Sequence, residues 1–403
     1  MVFYRHSVLG IVLVLAAVAA SLGQDIEIVE SIPVGTMLEN PEIRDAKDVW
    51  VDMIDRAERT LDLEQFYVSN APGSALERVL LAIQRAAVRG VHVRLLVDAR
   101  MYKTYPETVD SLGKMPNIET RRLDFGKVAG GIQHAKYFIV DGRDVFVGSQ
   151  NFDWRALEHI HELGLRVRSG VLARAYQEVF ELDWDLAGGG DCRFDGSGKI
   201  PPIPCAVTPR DTAVIRPTFS PRGWIPDSTL WDQHAIVGII DGAGRDLVLQ
   251  FLAYGTHERK GSAYTVIDDA IRRAAQRGVR VRMIVADWGK GGSSEAALKS
   301  LTLEPNVEVA FTSIPDWTGG YIPFARVEHC KFIVADAEHF WLGTSNCEKG
   351  YFYGSRNMGL ICASPALGRQ LTAVFEKSWT SPYRELIVGG TKYPPRIHGE
   401  RAP

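Results

Sequence analysis

Several things are scarce in this sequence. Its 403 residues include five cysteines, an odd number, so no disulfide scheme uses them all. It contains no Asn-x-Ser/Thr acceptor for N-linked glycans. That argues against a heavily glycosylated animal secreted or lysosomal protein and favours a bacterial exported one. Positive charge is not in excess: 46 Lys and Arg face 49 Asp and Glu, a formal net charge of −3, with a pI near 6.4. No bulk basic field draws in polyanions, so any phosphate must be held by a few local groups. Beyond the N-terminus, no apolar run reaches the ~20 residues that a membrane-spanning helix needs. Core-forming residues are plentiful. The chain is 46% hydrophobic and 24% charged, the balance of a soluble globular protein long enough for one large domain or two ordinary ones.

At the N-terminus, Arg5 and His6 precede an apolar run over residues 8–20, and Ser21-Leu22-Gly23 fits a small-x-small cleavage site before Gln24. Residues 1–23 therefore read as a signal peptide, with a secreted or periplasmic location expected. The alternative is an uncleaved N-terminal membrane anchor. Export would permit disulfides. Cys192 and Cys205, which flank a Gly/Pro-rich loop, are the disulfide candidates, with Cys347 and Cys362 as a second pair and Cys330 left as a core thiol.

Periodicity predicts a helix over 41–59, with Val49, Trp50, Met53, Ile54 and Ala57 on one stripe, then a strand over 61–68. A helix over 74–89 ended by Gly90, strands over 91–98 and 118–123, and a hairpin of 136–140 with 145–148 follow. A strand over 163–168 and a helix over 173–184 close the half. Residues 188–226, rich in Gly and Pro, read as an inter-lobe loop. The same programme then runs again. Residues 82–94 recur as 270–282, and Val179-Phe180-Glu181-x-x-Trp184 recurs as Val374-Phe375-Glu376-x-x-Trp379. The expected organisation is a first α/β lobe over 24–187, a second over 227–390, and a poorly ordered Pro-rich tail over 391–403. Two such mixed-sheet lobes, related by a pseudo-two-fold axis, would enclose one site.

The duplication also copies a motif. His134, Lys136, Asp141, Gly148 and Asn151 recur as His329, Lys331, Asp336, Gly343 and Asn346 at identical offsets. His and Lys two apart on a strand share one face. If the lobes pack face to face, two His, two Lys and two Asn meet in one cleft. Ammonium and amide groups there would hold the non-bridging oxygens of a phosphodiester and stabilise its transition state. One imidazole would attack phosphorus and the other would protonate the leaving oxygen. Such a site needs no metal or other cofactor, because the lysines supply the positive charge. Two motifs in one chain also make dimerisation unnecessary for completing it.

The doubled His-x-Lys-x4-Asp with Gly-Ser/Thr-x-Asn resembles the phospholipase D superfamily, over nearly the whole chain. Gly148-Ser149-Gln150-Asn151-Phe152-Asp153-Trp154-Arg155 and Gly343-Thr344-Ser345-Asn346 are most similar to its animal endolysosomal 5′-exonuclease branch. The resemblance implies a phosphohistidine mechanism and a phosphodiester substrate, single-stranded nucleic acid first. The alternatives are a phospholipase D or phosphatidyl transferase, and an inactive binding protein that kept the fold. It also implies that Glu162, 28 residues after His134, holds the His134 ring, whereas the same offset from His329 reaches Asn357. A carboxylate stabilises a cationic imidazole, so on this reading His134 is the nucleophile and His329 the general acid. Asp141, Asp336, Ser149, Ser345 and Asn357 are expected just behind the site. The run Arg272, Arg273, Arg277, Arg280, Arg282 reads as a solvated face rather than a nucleic-acid patch. Among the aromatics near strand ends or in loops, Phe66, Tyr67, Tyr105 and Tyr351 included, some could stack on bases or touch acyl chains, while for any single one core packing or loop anchoring is the favoured reading.

Overall fold

Runs of aliphatic and β-branched residues, punctuated by Gly and Asn turns, build two mixed sheets. The computed structural model describes residues 24–258 and 261–399, so the expected signal peptide lies outside them. The first sheet contains β1 (Ile26–Ser31), β2 (Thr60–Gln65), β3 (His92–Asp98), β4 (Ile118–Leu123), β5 (Tyr137–Val140), β6 (Asp144–Gly148) and β7 (Glu162–Arg168). Their order is β1-β7-β6-β5-β2-β3-β4, with the short strand Arg44–Asp45 beyond β1. Strands β2, β3 and β4 are parallel, as helical crossovers require, and the hairpin strands run antiparallel.

The second sheet repeats this core with β8 (Ile203–Thr208), β9 (Asp211–Ser220), β10 (Asp246–Phe251), β11 (Arg280–Ala286), β12 (Val307–Thr312), β13 (Phe332–Ala335), β14 (His339–Gly343), β15 (Asn357–Ala363) and β16 (Arg384–Leu386). Its order is β8-β9-β15-β14-β13-β10-β11-β12-β16. The stretch expected to be a loop, 188–226, thus contributes two strands. Strand β8 lies at the sheet edge, where Pro204 forfeits no interior ladder bond, while Ile203, Cys205 and Val207 alternate into the core.

The helices Gly170–Ala187 and Pro365–Thr380 occupy equivalent places. Ser169 accepts the Leu172 N–H and Ser364 accepts the Leu367 N–H as N-caps. Tyr137, Ile139, Val145, Tyr176 and Phe180 of the first lobe join Leu247, Val281, Phe332, Leu371 and Phe375 of the second in one buried cluster. At about 1.5–3 kcal/mol for each fully buried large side chain, this shared layer makes the lobes one unit. A second cluster, including Trp50, Leu76, Ile83 and Phe138, fills the other face of the first sheet.

Two further expectations fail. All five cysteines are free. Cys192 is exposed in a loop while Cys205 points from β8 into the core, so these thiols face different environments. Cys347 and Cys362 are both buried and unbridged. Of the tail, residues 391–399 are described, with 400–403 outside the described residues, and that part is fastened: Tyr393 is buried and edge-on to Phe311, and Arg396 and His398 pair with Asp287. No helix among the described residues is long and apolar enough to cross a membrane.

Candidate active site

Each His-x-Lys segment leads into its own lobe's sheet, yet its backbone is bridged to the other lobe. Gln133 pairs with Arg356, and His161 pairs with Glu328. The His134 N–H donates to the Arg356 carbonyl at 2.9 Å, and the His329 N–H donates to the His161 carbonyl at 2.9 Å. The residue after each bridge, Asn357 or Glu162, therefore faces the histidine of the opposite lobe. His134 Nδ1 is 3.0 Å from Asn357 Oδ1, and His329 Nδ1 is 2.7 Å from Glu162 Oε2. This corrects the expected pairing: Glu162 holds His329 rather than His134. In its own sheet β7 is separated from β5 by β6, so the residue leading into β5 is about two strand spacings, ~10 Å, away.

Small side chains orient both partners. Asn357 donates through Nδ2 to the Tyr351 carbonyl at 2.9 Å and accepts the Thr344 hydroxyl at 2.9 Å. Those bonds assign its Oδ1 to the imidazole. Ser149 holds the Thr344 position in the first lobe, accepting the Leu163 N–H at 3.1 Å and donating to the Leu163 carbonyl at 3.3 Å. Ser345, expected behind the site, instead donates to Asp232 at 2.8 Å. Just past the end of β14, Thr344 turns to Asn357 and Ser345 to Asp232.

Lys136 and Lys331 are buried, and each donates to the carbonyl of its own histidine, at 2.6 and 2.5 Å. The intervening Ala135 and Cys330 point into the core. Neither ammonium has a carboxylate at ion-pair distance among the described residues. Burial, then mutual repulsion, holds Lys136 well below its ordinary range, and burial brings Lys331 down to about 8. Burial and the two lysines likewise push His134 and His329 well below the usual imidazole range. Burial raises Glu162, against the pull of Lys331. The crossed bridges bring the two histidines, each with its own lysine, to the seam between the lobes. Asn151 and Asn346 close equivalent turns, their carbonyls accepting the Asp153 and Glu348 N–H groups. Asn346 Nδ2 and Asn151 Oδ1 have no protein partner among the described residues.

The motif aspartates are structural, not adjacent to the cleft. Both occupy left-handed turns at the far end of the hairpin, at φ 52° and 55°. Asp141 accepts the backbone N–H groups of Glu58, Arg59 and Thr60, and Asp336 those of Gly244, Arg245 and Asp246. Each pins the entry of the central strand.

Behind the two bridges lie buried pairs that the sequence reading missed. Arg356 forms a bidentate pair with Asp183, at 2.6 and 2.8 Å, beneath the His134 side. His161 pairs with Glu328 at 2.7 Å beneath the His329 side. The mirror dipeptides His161-Glu162 and Glu328-His329 were the available signal. His161, Glu328 and Cys330 have donor atoms within 4.8 Å of one another. They are buried on the core side of the seam, with His161 and Glu328 engaged with each other, and so contribute no metal ligand to the cleft.

A family model described as the PLD-like domain of cardiolipin synthase matches residues 50–184 and 250–379. Phospholipase D Z of Dictyostelium discoideum is 27% identical, over 90% of this chain and 90% of its own. The 5′-3′ exonuclease PLD3 of Homo sapiens is 27% identical, over 88% of this chain and 79% of its own. The crystal structure of phosphatidylserine synthase from Haemophilus influenzae Rd KW20 superposes with a TM-score of 0.62 at 14% identity, covering 90% of this chain and 87% of that one. With a matched motif in each lobe and both halves of the chain covered, the protein belongs to the phospholipase D-like family and is a phosphodiesterase of that superfamily.

Proposed function

We propose that the protein hydrolyses single-stranded nucleic acid from an end, through a phosphohistidine on His134, with His329 as general acid and base. The observation that carries the role assignment is the crossed pairing. The Asn357 oxygen can only accept, so it fixes the proton on His134 Nδ1 and leaves Nε2 with a free lone pair. The low proton affinity of this buried ring keeps it in that nucleophilic state. Because burial raises Glu162 against the pull of Lys331, the His329–Glu162 pair can hold one more proton. Whether written as imidazolium with carboxylate or as imidazole with carboxylic acid, that pair leaves a hydrogen on His329 Nε2. The carboxylate on which the expectation of a His134 nucleophile rested lies behind His329 instead, so the assignment proposed here rests on the tautomer that Asn357 selects.

In the first step His134 Nε2 bonds to phosphorus, the leaving oxygen departs, and His329 gives it a proton. In the second, His329 takes a proton from water, whose oxygen displaces His134. Lys136 and Lys331 hold the non-bridging oxygens throughout, so the chemistry calls for no metal. The similarity to relatives named 5′-3′ exonuclease PLD3 supports nucleic acid as the substrate. The similarity to phospholipase D Z favours a second reading, phospholipid headgroup hydrolysis or transfer. One panel separates them. A 5′-hydroxyl single-stranded oligonucleotide and phosphatidylglycerol vesicles are each incubated with EDTA, with and without ethanol. Shortening of the oligonucleotide by wild type and not by His134→Ala is the expected result. Phosphatidylethanol from vesicles with an intact oligonucleotide would replace the first reading by the second. No difference between wild type and His134→Ala on any diester would leave only a binding protein.

A further inference from the structure

The two histidines stand against different walls. Phe66 and Tyr351 both touch the His134 ring, each with a centroid separation of 5.0 Å. The row continues outward: Phe66 meets Tyr67 at 5.4 Å, and Tyr67 stacks on Tyr105 at 5.1 Å. Tyr67 is held by a 2.7 Å hydrogen bond to Asp153, which also pairs with Arg155. All four rings are half-buried. At the equivalent places in the other lobe, Leu252 and Ala253 follow β10 as Phe66 and Tyr67 follow β2, and Ala156 stands where Tyr351 does. No aromatic ring contacts His329 among the described residues.

The duplication therefore preserved the reacting groups but not the surface beside them, and a packing role alone does not require that difference. An in-line displacement puts the leaving oxygen opposite His134, next to His329. The substituent that stays on phosphorus is carried on His134 in the intermediate, within reach of the rings that flank it. We infer that the row of Tyr351, Phe66, Tyr67 and Tyr105 is a stacking subsite for a flat ring, such as a nucleobase, carried by the retained substituent. This rests on His134 as the nucleophile. Stacking on an aromatic side chain is worth roughly 5- to 150-fold per base and tolerates any base. Such a surface would select nucleotides over acyl chains without reading sequence.

The test uses three diesters that share p-nitrophenol as leaving group and differ only in the retained group: methyl, phenyl, or thymidine through its 3′-oxygen. The wild-type chain is expected to favour the phenyl and thymidine esters over methyl by about tenfold or more in kcat/KM. Phe66→Leu and Tyr351→Ala each install the residue that the other lobe uses. Both are expected to bring the phenyl-to-methyl ratio towards one, chiefly through KM. Because the ratio is internal to each preparation, partial misfolding does not mimic the result. Equal wild-type rates on the three esters, or a ratio unmoved in both variants, would overturn the subsite while leaving the phosphohistidine reading in place. Failure of wild type to cleave any of the three would overturn that reading as well.

Discussion

The two lobes share a backbone plan and differ at the few atoms that matter for proton inventory. Around His134 the partner is an amide, the neighbouring rings are aromatic, and the buried pair beneath is Arg356–Asp183. Around His329 the partner is the carboxylate of Glu162, and the pair beneath is His161–Glu328. A two-fold arrangement of identical groups would give two equivalent imidazoles. Replacing one carboxylate by an amide makes the two rings inequivalent, and on the proposed mechanism that leaves one as the base with a bare nitrogen and the other as the proton donor. Division of labour thus needs a single side-chain difference per seam, while the lysines and asparagines that face phosphate remain duplicated.

The hardest test of this comparison is to remove each histidine in turn. His134→Asn should abolish turnover of every diester, by 10⁴-fold or more as an order of magnitude, whatever the leaving group. His329→Asn should cost about 10²–10⁴-fold with an alkoxide leaving group, whereas p-nitrophenolate leaves without a proton and should appear as a burst before hydrolysis of the phosphohistidine, which still needs the His329 base, stalls turnover. Steady-state rates, and base-stable, acid-labile label trapped on the protein, would check this. The opposite leaving-group pattern would exchange the two roles.

Next in size is the buried Arg356–Asp183 pair. Arg356→Met strands a buried carboxylate and is expected to cost about 3–5 kcal/mol of unfolding free energy in urea titration. A loss below 1 kcal/mol would show that this seam does not depend on the pair.

The seam behind His329 should respond to pH where the other does not. Burial lowers the proton affinity of His161, but Glu328 outweighs it and raises the imidazole above its ordinary value. A raised folded value stabilises fully below the unfolded value, about 6.5, and is lost as pH rises through the folded one. Glu328→Gln should therefore lower the Tm more at pH 5.5 than at pH 9. An equal loss at both would assign the pair a purely packing role.

The smallest expected effect concerns the lysines common to both halves. With Lys331 brought down to about 8, affinity for a phosphate-like oxyanion such as tungstate should fall as pH rises through 8. A flat profile from pH 6 to 9 in competition assays would mean that Lys331 stays charged throughout.

Much of this site was legible in the sequence because duplication wrote it twice. His134, Lys136, Asn151 and their counterparts announce themselves by identical offsets, and the strand period sets His and Lys on one face. The partner of each ring was not legible. Offsets count along one chain segment, whereas Glu162 meets His329 through a bridge formed only when the lobes pack. Thr344 was already legible as the counterpart of Ser149 by position; what the sequence did not show is that Ser345, one residue on, turns away to Asp232. The disulfide failed for a similar reason: proximity in sequence around a Gly/Pro loop says nothing about which thiol a strand will turn inward. The tail was misread because composition does not reveal that Tyr393, Arg396 and His398 have waiting partners on the second lobe.

The crossed bridges also bear on how such a chain arises. A lone ancestral lobe that paired with its own copy would give both imidazoles the same partner, either two carboxylates or two amides. Only after the copies were joined into one gene could one partner position drift from acid to amide without the other following. Fusion supplied the freedom to mutate half a symmetric machine, and the reciprocal bridges ensured that a change in one lobe was felt by the histidine of the other.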